Sequence, residues 1–96
     1  MKIIFDKSFL KSIRKIKDAE LKRRLEVVIS EVEEAKGLKE IPNIKKMQGF
    51  DSFYRIRIGD YRLGIELEAK DQVRFILVSH RRNIYDEFPW LRLHIH

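Results

Sequence analysis

The chain has no cysteine, so neither a disulfide nor a thiolate metal ligand can hold it together, and a cytoplasmic setting is the simplest expectation. Two prolines and four glycines are too few for a linker or a low-complexity tract. No segment repeats. The longest uninterrupted apolar run, at 75–78, falls far short of the ~20 residues that cross a bilayer. The opening MKIIFDK is likewise too short in apolar residues for a signal-peptide core. No membrane partner is expected. At 96 residues the chain has room for one domain, 1–96, with one hydrophobic core, and hence for one site.

Positive charge is abundant. Lys and Arg number 21 against 15 Asp and Glu, giving a formal +6 and a pI near 9.7, a balance that suits a polyanionic partner such as nucleic acid. The apolar pattern divides the chain at Pro42. Before it, KIIF reads as a short strand, and Asp6 is placed to cap a helix with Phe9, Leu10, Ile13 and Ile16 on one face. Asp18 can cap a second helix carrying Leu21, Leu25, Val28, Ile29 and Val32, with Gly37 expected to end it in a left-handed turn. After Pro42 the period falls to two, and 44–47, 53–58, 61–67 and 73–79 read as four strands. The expected fold is α+β: an N-terminal short strand and a helical hairpin packed on an antiparallel four-stranded sheet. Segment 75–78, apolar on both faces, should lie centrally with helices covering one side.

The stretch YRIRIGDYRLGIEL, residues 54–67, holds an oddity. A two-residue type II′ turn at Gly59-Asp60 pairs Ile58 with Tyr61. Tyr54, Ile56 and Ile58 then meet Ile65, Leu63 and Tyr61 on the inner face. Arg57 falls directly across from Arg62 on the outer face, with Arg55 two residues along, although like charges opposite one another destabilise a sheet. Gly64 falls across from Arg55 and is expected to leave an open floor. An arginine ladder could simply discourage edge-to-edge aggregation. Mixed lysine and glutamate would do that without repulsion, whereas three converging guanidinium groups are best explained by an anion that offsets them, and their forks suit phosphate oxygens.

A second basic cluster, SHRRNIYDEFPW at 79–90, follows the last strand, so His80, Arg81, Arg82 and Tyr85 are expected to reach the same patch. Cleavage of an RNA phosphodiester needs a base for the 2′-hydroxyl, cations for the charge developing on phosphoryl oxygens and an acid for the leaving 5′-oxygen. Candidates for each role are present. His94 and His96 read as bystanders in a tail. No metal-ligand spacing, Gly-rich phosphate loop or Ser-His-Asp arrangement occurs, so a mechanism without metal or cofactor is expected.

Taken together, YRIRIGDYRLGIEL and the following VRFILVSHRRNIYDEF resemble the RelE/ParE superfamily of toxins from type II toxin-antitoxin modules, over almost the whole chain. The resemblance implies an endoribonuclease that cleaves mRNA in the A site of the small ribosomal subunit and so stops translation, and that is held in check by a cognate acidic antitoxin. Carried over by position, Arg55, Arg57 and Arg62 would hold the scissile phosphate and Arg81 would act on the leaving-group side. Tyr85 would stack on a base or help to activate the 2′-hydroxyl, and Lys45, Lys46 and Arg82 would bind RNA around them. The best-known RelE toxins have lysine where this chain has Arg55 and Arg57. Arginine is effectively never deprotonated, so the role of base passes to His80 or Tyr85. Two alternatives stand beside this reading: a ParE-like inhibitor of DNA gyrase, and a non-catalytic RNA-binding module. The second would need more exposed aromatics than Phe53 and Tyr85.

Overall fold

The computed structural model describes residues 1–89; His94 and His96 lie outside them. The order of elements is β1 (Lys2–Phe5), α1 (Lys7–Lys15), α2 (Ala19–Glu34), a 3-10 turn (Leu38–Glu40), β2 (Ile44–Lys46), β3 (Phe53–Ile58), β4 (Tyr61–Ala69), β5 (Gln72–His80) and α3 (Ile84–Glu87). The sheet has five strands where four were expected, in the order β1-β5-β4-β3-β2. The added strand is β1, which pairs parallel with β5, Ile3 opposite Val73. A strand as apolar as β5 needs a neighbour on both edges, and β1 supplies the second. β5 is therefore internal, as expected, although β4 holds the middle.

Where β1 ends, α1 takes over the same edge. The Ser12 hydroxyl accepts from Val78 N at 3.0 Å, and the Ser8 hydroxyl shares its one proton between Ile76 O and Asp6 Oδ2. Two helical serines one turn apart thus satisfy backbone groups that a longer β1 would have paired. Asp6 caps α1, accepting from Ser8 N at 3.1 Å. Asp18 caps α2, accepting from Glu20 N and Leu21 N.

Phe9 is buried in α1, and Leu21, Leu25 and Val32 are buried in α2. Leu10, expected on the buried face of α1, is 45% exposed, because Phe9, Ile13 and Ile16 already define the stripe and Leu10 stands about 100° round from Phe9. Gly37 does not end α2. The helix closes at Ala35 in extended backbone, and Gly37 is itself extended (φ −169°). The terminal carbonyls that a left-handed glycine would satisfy are taken instead by the Met1 ammonium, which donates to Val32 O, Glu33 O and Ala35 O.

The hairpin forms in the expected register, Ile58 opposite Tyr61 and Arg57 opposite Arg62. Gly59 alone takes a positive φ, 59°, in the turn, as type II′ geometry requires. One face of the sheet packs on the helices through Ile56, Ile58, Leu63, Ile65, Phe75 and Val78. The other carries a second, smaller core of Met47, Phe53, Ile76, Leu77, Ile84 and Phe88. A bulge between Gly64 and Ile65 leaves Ile76 without a partner in β4, which is how 75–78 feeds both cores. The open floor expected at Gly64 is filled: a Cβ there would stand 2.7 Å from Cδ1 and Cγ of Phe88.

Candidate nucleic-acid interface

The side chains of Arg57 and Arg62 lie opposite one another at a position where strands come closest. Arg57 N donates to Asn43 O of the loop before β2, so its backbone polar groups face away from β4 and the Arg57/Arg62 pair is a non-hydrogen-bonded one, with Cα atoms about 4.5 Å apart. Lys45 is paired with Arg55, and Arg55 with Gly64, on the same face. Arg81 reaches this group because its N–H donates to Asp60 O at 2.8 Å, which ties the turn after β5 to the hairpin tip.

Arg62 is the centre of the cluster. Its Nη1 donates to Gly59 O and Tyr61 O, each at 2.9 Å. Burial first, then the charges of Arg55, Arg57 and Arg81, pull its pKa below the ordinary arginine value. None of these four arginines has a carboxylate of the described residues within ion-pair distance. In contrast, Arg74, at the far end of the same face, is bound to Glu68 and Asp6. The cluster therefore holds unspent positive charge, whereas the other end of the sheet is neutralised internally.

Three adjoining clefts make the cluster a trough. The first, about 680 Å³, lies between Lys45, Lys46, Arg55, Tyr85 and the β2–β3 turn. It shares Lys45 and Arg55 with the second, about 330 Å³, which adds Asn43, Arg57 and Arg62. The third, about 390 Å³, shares those three and adds Arg81, Asp60 and Arg24. Tyr85 stands at the first end, 54% exposed, with the Arg55 guanidinium 5.1 Å from its ring centroid. That leaves the phenol ring with one cationic face and free area for a planar group.

The sequence-predicted residues thus divide. Arg55, Arg57, Arg62, Arg81, Tyr85 and Lys45 share the trough. Lys46 lines its first cleft, with Nζ 3.9 Å from Asp51 Oδ1. Arg82 is exposed in the turn after β5. His80 is on the other side of the sheet: it pairs with Tyr61, its ring meets the Tyr61 ring edge-on at 5.6 Å, and its Nδ1 accepts from Arg82 N. The residue opposite Arg62 is Ser79. Counting the alternation one strand further from the hairpin would have placed His80 away from the arginines. The lining residues beyond the predicted set include Asn43, whose φ of 61° suits an asparagine, Asp60, and Arg24 of α2.

A larger cavity than any cleft of the trough, about 900 Å³, lies between α1 and β5 and includes His80 but none of the clustered arginines. Its Ser8, Ser12 and Arg74 are engaged in internal hydrogen bonds and ion pairs, and its remaining cations are lysines of α1, Lys7, Lys11 and Lys15, with no guanidinium cluster like that of the trough. Among the described residues no group of three or more His, Asp or Glu side chains is arranged to hold a metal ion, and no helix is long and apolar enough to cross a membrane.

Comparison with known proteins places these features in a family. Residues 3–85 match the family described as ParE toxin of type II toxin-antitoxin system. Over 90 residues, 93% of this chain and 100% of the relative, the sequence is 38% identical to Toxin RelE3 of Methanocaldococcus jannaschii. Among solved structures, the RelB-RelE antitoxin-toxin complex from Methanococcus jannaschii matches with a TM-score of 0.75 at 36% identity, covering 90% of this chain and 99% of the other. The RelE toxin of E. coli, solved in the free state as a double arginine-to-alanine mutant, matches with a TM-score of 0.63 at 26% identity, covering 90% of each chain.

Proposed function

This chain belongs to the RelE/ParE family of toxins from type II toxin-antitoxin systems, and we propose that it is a metal-independent endoribonuclease that cuts mRNA on the ribosome. The observation that carries this reading is the convergence of Arg55, Arg57, Arg62 and Arg81 with no carboxylate of the described residues in ion-pair contact, Asp60 alone acting on Arg62 from further off. In-line attack of a ribose 2′-oxygen on the adjacent phosphorus forms a 2′,3′-cyclic phosphate and breaks the bond to the 5′-oxygen. Negative charge grows on the phosphoryl oxygens during that step, and preorganised guanidinium groups stabilise it most where solvent is partly excluded. Arg62, the most constrained of the four, binds the phosphoryl oxygens together with Arg57. Arg81, from a separate element, stabilises the departing 5′-oxygen. Tyr85 receives the neighbouring base on its open face.

His80 has no part in this scheme, because its ring lies against Tyr61 on the helix side. No strong general base then faces the phosphate, which is why the ribosome enters: a second body that holds the 2′-hydroxyl in line with its leaving group supplies the orientation the protein lacks. An acidic antitoxin is the proposed partner. The +6 charge steers such a chain to the trough, and the RelB-RelE complex is a precedent of similar fold. Primer-extension mapping of cleavage during translation tests the reading; cuts within codons that disappear in Arg62→Ala support it, and their absence from the parent would reject it. The family match to ParE toxins favours a second reading, gyrase inhibition through protein contact. A supercoiling assay separates the two.

A further inference from the structure

In the sequence Arg24 is one of three consecutive cations on α2, Lys22, Arg23 and Arg24. Its position says more. Leu21 and Leu25, the residues beside it on the helix, are buried against the sheet, which sets Arg24 on the flank of α2 next to the hairpin tip. There its guanidinium crosses over Gly59: a Cβ at that position would lie 2.7 Å from Nη1 and 3.7 Å from Cζ. Gly59 therefore serves both the positive φ of the turn and the passage of this side chain. The guanidinium lines the third cleft with Arg57, Arg62 and Arg81, and no ion pair joins it to a carboxylate of the described residues. Its neighbour Arg23, by contrast, is paired with Glu20.

We infer that Arg24 is a phosphodiester-binding residue that carries the RNA path beyond the scissile phosphate, from the sheet onto the flank of α2. The inference deepens the proposed ribonuclease reading and rests on it. The three clefts share lining residues in sequence, so a polyanionic chain seated with a base on Tyr85 and a phosphate between Arg57 and Arg62 meets Arg24 at the opposite end. A chain that stops at the scissile phosphate does not. Arg24 touches the strand only where it leaves the site, so it contributes affinity for longer RNA rather than transition-state charge. The phosphodiester can belong to the cleaved strand or to ribosomal RNA, since both present the same oxygens.

The test uses the full chain, its Arg24→Ala variant and the conservative Arg24→Lys. Single-stranded oligoribonucleotides with a 2′-deoxy sugar at one central position are titrated as a length series from three to nine nucleotides over 50 to 200 mM KCl. For the longer oligonucleotides, Arg24→Ala should flatten the slope of log affinity against log salt by about 0.7, the value for one phosphate contact on a single strand, so that the parent's advantage shrinks roughly 2.5-fold across that range. On the trinucleotide, parent and variant should coincide, and Arg24→Lys should restore most of the slope. Unchanged oligonucleotide slopes with weakened binding to ribosomes would assign the phosphodiester to ribosomal RNA. Identical parent and Arg24→Ala behaviour on all lengths and on ribosomes would overturn the inference while leaving the ribonuclease reading intact. A parent that bound no RNA in either assay would overturn both.

Discussion

The ring of Phe88 lies directly on Gly64, in the space a side chain at that strand position would fill. Phe88 is fully buried there and meets Phe53 edge-on at 5.4 Å. The contact clamps α3 across the sheet, and α3 carries Tyr85 to its place beside Arg55. Gly64→Ala would ordinarily be neutral or favourable in a strand, but here it forces Phe88 away. We expect a loss of about 1–3 kcal/mol in urea unfolding, as for overpacking generally, with a fall in cleavage that exceeds what the remaining folded fraction explains. Unaltered stability would mean that Phe88 has another seat.

Much of this fold can be read from alternation and caps. Asp6 and Asp18 precede apolar faces at helical spacing, and Gly59-Asp60 sits between two runs of period two, so local chemistry alone sets the helix starts and the Arg57/Arg62 register. What escaped depends on contacts distant in sequence. The pairing of β1 with β5 joins residues about 70 positions apart, the Met1 ammonium replaces Gly37 at the end of α2, and Phe88 reaches back over Gly64. The same limit applies to the site. The arginines of one hairpin could be placed together, whereas His80 needed the register of the next strand and Arg24 needed the position of a helix.

Asp6 gives a pH dependence of known sign. Burial raises its pKa, but the hydroxyl and N–H of Ser8 and the charge of Arg74 outweigh that and hold it below the ordinary value of 3.8. A carboxyl whose folded pKa is depressed contributes stability that is present above the unfolded pKa and lost as pH falls through the folded one. Asp6→Asn keeps a capping side chain and removes the charge facing Arg74. Thermal melts should therefore show the variant below the parent at pH 7, with the difference closing below about pH 3.8. A constant difference down to pH 2 would show that Asp6 contributes no charge-dependent stability.

His80 and Tyr85 separate by substitution. The histidine ring faces Tyr61 on the helix side, so His80→Ala should cleave translating mRNA within about threefold of the parent, once corrected for any loss of folded protein. Tyr85→Phe keeps the stacking face and should remain largely active; Tyr85→Ala should lose about 1–3 kcal/mol of base stacking. If Tyr85→Phe were as inactive as Tyr85→Ala, the phenol rather than the ring would be the working group.

Arg57 and Arg62 oppose like charges in a strand pair at its closest approach, an arrangement that destabilises a sheet. Stability alone gives no reason to keep it. Arg57 is exposed, and the carbonyls that Arg62 binds at Gly59 and Tyr61 belong to a turn where water can replace the guanidinium. Arg57→Gln and Arg62→Ala should accordingly melt at or above the parental temperature. Each should also lose cleavage, Arg62→Ala on the order of 100-fold or more, because a donor aimed at transition-state charge is removed. Melts and translation-coupled cleavage measured on the same preparations decide the matter. A variant that lost stability and activity in proportion would make the pair a structural feature. Stability kept while activity vanishes would mark it as a phosphate clamp, held in place against its own repulsion.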